Sequence, residues 1–231
     1  MSTLRDRFTS KAISLALGFV ALLAFAAPGA NRAAASVAPR VIPIAAARAL
    51  PSGTPVLVDG AVSVPSGAFK SGTSDEGFVI QDRSGGIYVR THANLGLRVR
   101  QRVRVVGQLA DSNGLLVLVP VGADGVRVRG RGRKIVAESV PTGRINEATE
   151  GRLMQVAGTI TKPVVSDLPY GYRLFIDDGS GEVQAFIYAS TGVDVSGLRP
   201  GQRVGVTGFS GQYNDHYEII PRFQTDIRPL R

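Results

Sequence analysis

Residues 77–90 read GFVIQDRSGGIYVR and residues 172–186 read YRLFIDDGSGEVQAF. Each is a pair of alternating runs folded about an Asp-x-Ser-Gly turn, the pattern of a β-hairpin with one buried face. A second string repeats in the same order: QRVRVVGQ at 101–108 returns as QRVGVTGF at 202–209, matching at Gln, Arg, both valines and Gly. Asp82 to Asp178 is an offset of 96 and Gln101 to Gln202 an offset of 101, so the copies are collinear apart from five inserted residues. A chain of 231 residues that carries one unit twice is expected to fold as two like domains of about a hundred residues each.

The parts of the unit can be read in turn. TPVLVDGAVSV alternates across Gly60, as a long strand that bends; a Gly- and Ser-rich loop at 65–76 precedes the hairpin, and a short connector around His92 to Leu97 follows it. QRVRVVGQL and LLVLVPV then pair through Asn113-Gly114, a strong hairpin turn. The second copy begins at LMQVAGTITKPV, with Gly158 in the bend, and keeps this order. Ile44 to Leu50 offers a helical turn or two, and the polar linker Ala137 to Glu150 a single one.

Five strands in this order make a small Greek-key barrel. The string GFVIQDxSGGIYV, followed by QRVRVVG and an Asn-Gly turn, resembles the OB-fold domains of single-strand-binding proteins and those attached to secreted bacterial nucleases. The likeness covers about 51–129 and again 150–228. It implies an all-β chain of two tandem five-stranded OB-fold Greek-key barrels, which hold oligonucleotides or oligosaccharides across strands 2 and 3 and between two flanking loops. The expected organisation is a signal peptide over 1–35, a lead-in linker over 36–53, a first barrel over 54–130, a linker over 131–149 and a second barrel over 150–231. Two barrels in tandem would make a longer groove than one.

The leader reading rests on Arg5, Arg7 and Lys11, then on Ala12 to Ala27, which holds 16 residues without a charge, and on small-x-small sites at Ala24-Phe25-Ala26 and Ala33-Ala34-Ala35. The run is shorter than the ~20 residues of a spanning helix, so cleavage and export are expected rather than anchoring. There is no cysteine, which excludes disulfides, thiolate metal sites, thiol nucleophiles and a lipid-modified cysteine anchor.

Strand alternation separates the hairpin faces. Phe78, Ile80, Ile87 and Val89 share one phase and should point inward, leaving Val79, Gln81, Tyr88 and Arg90 outward. In the second hairpin Leu174, Ile176, Val183, Ala185 and Ile187 point inward, leaving Arg173, Phe175, Asp177, Gln184, Phe186 and Tyr188 outward. Three aromatic rings on a solvent face need a cover. A single strand stacking its bases on those rings, with Arg90 and Arg173 at phosphates, is one cover, and a sugar is another. Contact with the sister barrel, or with another protein, is a third. The last loop differs between copies in the same sense: DSNG in the first becomes GQYNDHYE in the second, bringing Tyr213, His216 and Tyr217 to the rim.

Formal charge is +9, and removal of 1–35 leaves +6. Residues 36–140 hold 14 basic and 7 acidic side chains, whereas 141–231 hold 9 and 10, so the positive field belongs to the first copy. Arg98, Arg100, Arg102 and Arg104 alternate, as do Arg127, Arg129, Arg131 and Arg133, which in a strand forms a positive stripe suited to a phosphate backbone. Charged edges also discourage strand pairing, and the bias to 23 Arg over 4 Lys is compositional.

Nothing points to catalysis. His92 and His216 fall in different copies without metal-ligand spacing, and Asp82 and Asp178 occupy turn positions where a carboxylate binds its own backbone. No phosphate-cradling loop or nucleophile elbow is present, so neither a metal nor a cofactor is expected. The expected partner is single-stranded DNA or RNA. The alternatives are a cell-envelope protein and a glycan.

Overall fold

The computed structural model describes residues 40–70 and 75–231, which belong to one compact unit; the expected signal peptide lies outside the described residues. A short helix α1 (Ile44–Arg48) leads into β1 (Pro55–Val64), β2 (Phe78–Gln81), β3 (Gly86–Val89), β4 (Gln101–Ser112), β5 (Leu115–Pro120) and β6 (Val126–Arg131). Pairing runs β1-β2-β3-β5-β4 and closes from β4 back to β1, with β3 and β5 parallel; β6 is added to β4. That is a closed five-stranded Greek-key barrel of OB type. Closure needs β1 to serve two neighbours: 55–61 pair with β4 and 61–64 with β2. Gly60 sits at this change of partner, where a Cβ would stand 3.1 Å from Ile80 Cβ and 3.2 Å from Gln81 N, so the bend read from the sequence is a place of close strand approach.

The second copy repeats the closure with β8 (Leu153–Ile160), β10 (Gly171–Asp177), β11 (Val183–Tyr188), β12 (Arg203–Tyr213) and β13 (His216–Ile220), again with a parallel pair, β11 on β13. The short strands β7 (Glu138–Ser139), β9 (Val165–Asp167) and β14 (Ile227–Pro229) pair with β8, β10 and β12 respectively. Both cores are filled by the phase expected to point inward: Phe78, Ile80, Ile87 and Val89 in the first, and Leu174, Ile176, Val183, Ala185 and Ile187 in the second.

Each barrel is also stoppered by the chain that precedes it. Asp82 accepts from Ser84 N (2.7 Å) and Gly85 N (2.9 Å) within its turn, and its other oxygen takes Ile44 N at 2.9 Å. Asp178 accepts from Ser180 N at 3.0 Å and from Thr142 N at 3.2 Å. These carboxylates therefore fasten the lead-in as well as the turn, and they place buried Ile44 and Ile145 in the two cores. The bonds of Asp82 outweigh its burial, and those of Asp178 from Ser180 and Thr142 dominate; both carboxyls lie below the usual range.

The barrels join through a third apolar cluster, in which Val64, Phe69, Val79, Tyr88 and Val117 of the first meet Phe209 and Ile220 of the second. Polar ties flank it: Arg222 donates to Ser63 O at 2.6 Å, and Asn214 N donates to Asn113 O at 2.6 Å. Arg48 of α1 pairs with Glu150 at 2.8 Å and with Glu147 at 3.1 Å.

Candidate functional site

The two hairpins share a fold and have different surroundings. In the first, every residue of β2 and β3 is buried. The alternation is as read, but the outward face is covered by β12 and β13 of the second barrel. Tyr88 is 7% exposed, its ring centroid 5.9 Å from that of Phe209, and its hydroxyl donates to Asp75 Oδ1 at 2.8 Å. Burial, then the charge of Asp75, pushes the Tyr88 phenol far above its ordinary value. Gln81, 6% exposed, accepts from Leu153 N of β8 at 3.1 Å. Placing Gln81 and Tyr88 on an open ligand face is thus corrected: Gln81 is spent on the second barrel, and Tyr88, packed against Phe209, contributes only a buried edge to the wall of the cleft between the barrels. The single long groove across both copies is corrected with them, because an apolar face is worth more covered by a sister barrel than left in water. Arg90, at the end of the hairpin, is half-buried with Nη1 3.4 Å from Ser112 Oγ.

The second hairpin keeps part of its outer face open, with Tyr188 at its end packed against the cluster that joins the barrels. Arg173, Gln184, Phe186 and Tyr188 are half-buried and line a cleft of about 460 Å³ at the junction of the barrels, a volume typical of small-ligand sites. The first barrel supplies Phe69, Asp75 and Leu115 to its wall, and the β12–β13 turn supplies Tyr213 and His216. Phe69 stacks on Tyr188 (centroids 5.3 Å apart, 26° between planes), and Phe186 meets Tyr188 edge-on at 4.8 Å. Tyr213 is 51% exposed and lies edge-on to His216 at 6.0 Å.

The structure takes two expected residues elsewhere. Phe175 is not in the cleft lining; Lys162 Nζ lies 4.5 Å from its ring centroid. Tyr217 packs on the second core and donates to Glu147 at 3.1 Å. Both are corrected as cleft residues.

The cleft has a polar floor that the sequence did not reveal. Gln184 and Glu218 are direct partners in the parallel β11–β13 pair. Gln184 Nε2 donates to Glu218 Oε2 at 2.8 Å and stands 3.3 Å from His216 Nε2, while His216 Nδ1 is 3.5 Å from Asp215 Oδ1. One arrangement satisfies all of these: the two amide hydrogens of Gln184 go to Glu218 and His216, and the imidazole proton sits on Nδ1. Burial pushes the Glu218 carboxyl up to about 7, against the opposing pull of the Gln184 bond and of His216. Burial also raises Asp75, opposed first by its bond from Tyr88. Phe69, Asp75, Gln184 and Glu218 form the part of the site that sequence reasoning missed; the one signal was a carboxylate inside the apolar run HYEII.

The arginine stripes do not enter the cleft. Arg102 and Arg104 on β4 are held by Asp59 of β1 at 2.5 and 3.3 Å. Arg127, Arg129 and Arg131 stand exposed along β6 and hold no ion pair among the described residues. Arg133 donates to Asp82 O, tying the linker to the first turn. Stacking and free positive charge therefore occupy separate surfaces. Among the described residues no group of His, Cys, Asp or Glu is arranged to hold a metal ion, and no helix is long and apolar enough to cross a membrane.

No protein-family model and no curated protein sequence matches the chain. Among solved structures, it is similar to the p204 HINb domain (11% identity, 78% of this chain and 98% of that one, TM-score 0.38). It is also similar to fission yeast Pot1 solved with ssDNA (12% identity, 79% and 85%, TM-score 0.38) and to a murine DNA binding protein bound with ds DNA (10% identity, 72% and 90%, TM-score 0.38). These likenesses are too distant to carry an argument, and the tandem OB-type architecture rests on the strand pairings of the chain itself.

Proposed function

We propose that this chain is an exported, non-enzymatic protein that binds single-stranded nucleic acid, with bases entering the cleft of the second barrel. Phe186, Tyr188 and Tyr213 offer rings for stacking, worth ~1–3 kcal/mol per base, and Arg173 meets the backbone at the cleft edge. Arg127, Arg129 and Arg131, with Arg90 and Arg133 nearer the barrel surface, supply the field that draws a polyanion in. The observation that carries the reading is the contrast between the hairpins: the outer face of one is buried under protein, and its counterpart is half-buried beside a cleft of ligand size. The reading includes a cleaved leader over 1–35 and barrels over 54–130 and 150–231 as its working domains.

The test is anisotropy with a labelled oligothymidylate and protein comprising residues 36–231, which contains the whole compact unit. Binding that weakens with salt and is lost by about tenfold or more in Phe186→Ala is expected. No binding at low salt would sink the reading. N-terminal sequencing of protein recovered outside cells that express the full chain tests export, and an intact residue 1 in that fraction refutes cleavage.

One observation favours a second reading. Asp75, Asp167 and Glu218 all border the cleft, and carboxylates beside aromatic rings suit the hydroxyls and faces of a saccharide. Salt-insensitive binding of a glycan, without binding of oligothymidylate, would select it; an envelope protein seated on the same rings would compete with both.

A further inference from the structure

The floor of the cleft has a hydrogen-bonding polarity. With the imidazole proton on Nδ1 of His216, both amide hydrogens of Gln184 are committed, to Glu218 and to His216, and its Oε1 is left as an acceptor. Glu218 Oε2 takes Gln184, and among the described residues no donor reaches its Oε1. Glu218 is only 5% exposed, with Phe186, Phe209 and Ile220 also around the cleft. Paired residues of adjacent strands thus each leave one oxygen as an acceptor, among the aromatic and aliphatic side chains of the cleft. A buried acceptor left dry costs more than its bond gains, so a ligand is selected by whether it brings donors.

The Watson–Crick edges of the four bases differ in this respect. Adenine and cytosine each present one amino donor next to a ring acceptor, and thymine places a single N–H between two carbonyls. Guanine alone carries two neighbouring donors, N1–H and N2–H. We propose that Gln184 and Glu218 form a base-reading pair that accepts from N1–H and N2–H of guanine, with the ring stacked on Phe186 or Tyr188. This rests on the reading of the cleft as a nucleobase site and adds to it a preference within the strand. Specific recognition of single strands commonly works this way, by stacking an unpaired base and bonding its edge.

The experiment uses residues 36–231 and competition against labelled oligothymidylate by strands with one central position changed to guanine, adenine, cytosine or hypoxanthine. Guanine is expected to improve binding about tenfold over thymine, as two well-placed bonds to a base edge do. Hypoxanthine, which lacks the N2 amino group, should lose most of that gain. Glu218→Gln should abolish the guanine advantage, and Phe186→Ala should weaken every strand. If strands bind and Phe186→Ala weakens them, but guanine gains less than twofold, the base-reading pair is wrong and the cleft reading stands. Preference for adenine or cytosine, or a guanine preference that survives Glu218→Gln, also overturns it. If no strand binds at low salt, the cleft reading itself fails and the pair fails with it. A guanidinium offers the same two donors, so displacement of the strand by N-acetylarginine amide at lower concentration than by guanosine overturns the proposal in favour of a peptide ligand.

Discussion

Gly86→Ala tests how the barrels are held together. Gly86 opens β3 and lies against Gly151, at the entry to the second barrel: a Cβ built on Gly86 would stand 1.8 Å from Gly151 O and 2.5 Å from Gly151 C. Both obstacles are backbone, so no rotamer change relieves them. Reaching ordinary contact at 3.4 Å requires the two segments to part by about 1.6 Å. The same seam closes over Val64, Val79, Tyr88, Val117, Phe209 and Ile220, and a gap of 0.5–1 Å already forfeits a quarter to a half of a dispersion well. Overpacking together with that loss should cost ~3 kcal/mol. Gly151→Ala should cost about 1 kcal/mol more, because its φ of +82° lies in the left-handed region. Gly197→Ala, where a new Cβ meets nothing within 4 Å, should stay within about 0.5 kcal/mol of wild type. Urea unfolding followed by circular dichroism reads all three. A Gly86→Ala protein within about 0.5 kcal/mol of wild type would refute the claim that close backbone approach sets the docking.

Glu218 makes stability fall with rising pH. Its folded value near 7 lies above the ordinary 4.5, so its favourable contribution is full below about 4.5 and is lost as pH rises through 7. Glu218→Gln should therefore gain on wild type across that window, by ~3 kcal/mol at most, as read from paired urea titrations at pH 4.5 and 8; an unchanged difference refutes it. The guanine advantage should run the opposite way, growing as pH rises through 7 and Glu218 ionises, with His216, Tyr88, Tyr170, Tyr188, Tyr213, Asp75, Asp167 and Arg173 as the other titratable groups on the cleft. Replacing Arg127, Arg129 and Arg131 together by Ala should flatten the slope of log affinity against log salt and leave stability within about 0.5 kcal/mol, since none of them is paired in the fold. An unaltered slope would show that β6 does not meet the backbone.

The strand order and both cores were legible because period-two patterning and the Asp-x-Ser-Gly turns are local signals. The covered face was legible in principle as well. FVIQ and GIYV are nearly apolar on both phases, which marks strands buried on two sides, whereas RLFID and VQAFIY keep Arg173 and Gln184 on the outer phase. Reading Tyr88 as an outward ring gave weight to its alternation and too little to its neighbour Val79. The polar floor could not be read, because Gln184 and Glu218 become partners only when the barrel closes and sets β11 beside β13. The arginine stripe on β4 was legible as a stripe and not as a paired one, since Asp59 arrives from 43 residues away.

The covering of the first hairpin also bears on what duplication has left this chain free to become. In the first copy, Val79, Gln81 and Tyr88 now hold a sister domain, and any change that suited a new ligand there would loosen the pair. In the second copy, the equivalent positions Phe175, Asp177 and Gln184 are only half-buried and hold no sister domain, although Gln184 still carries the bond to Glu218. On the proposed reading each chain then takes up one stretch of strand, the length of a single barrel, ~4–16 nucleotides. Longer strands should collect more copies of the protein rather than a tighter grip by each.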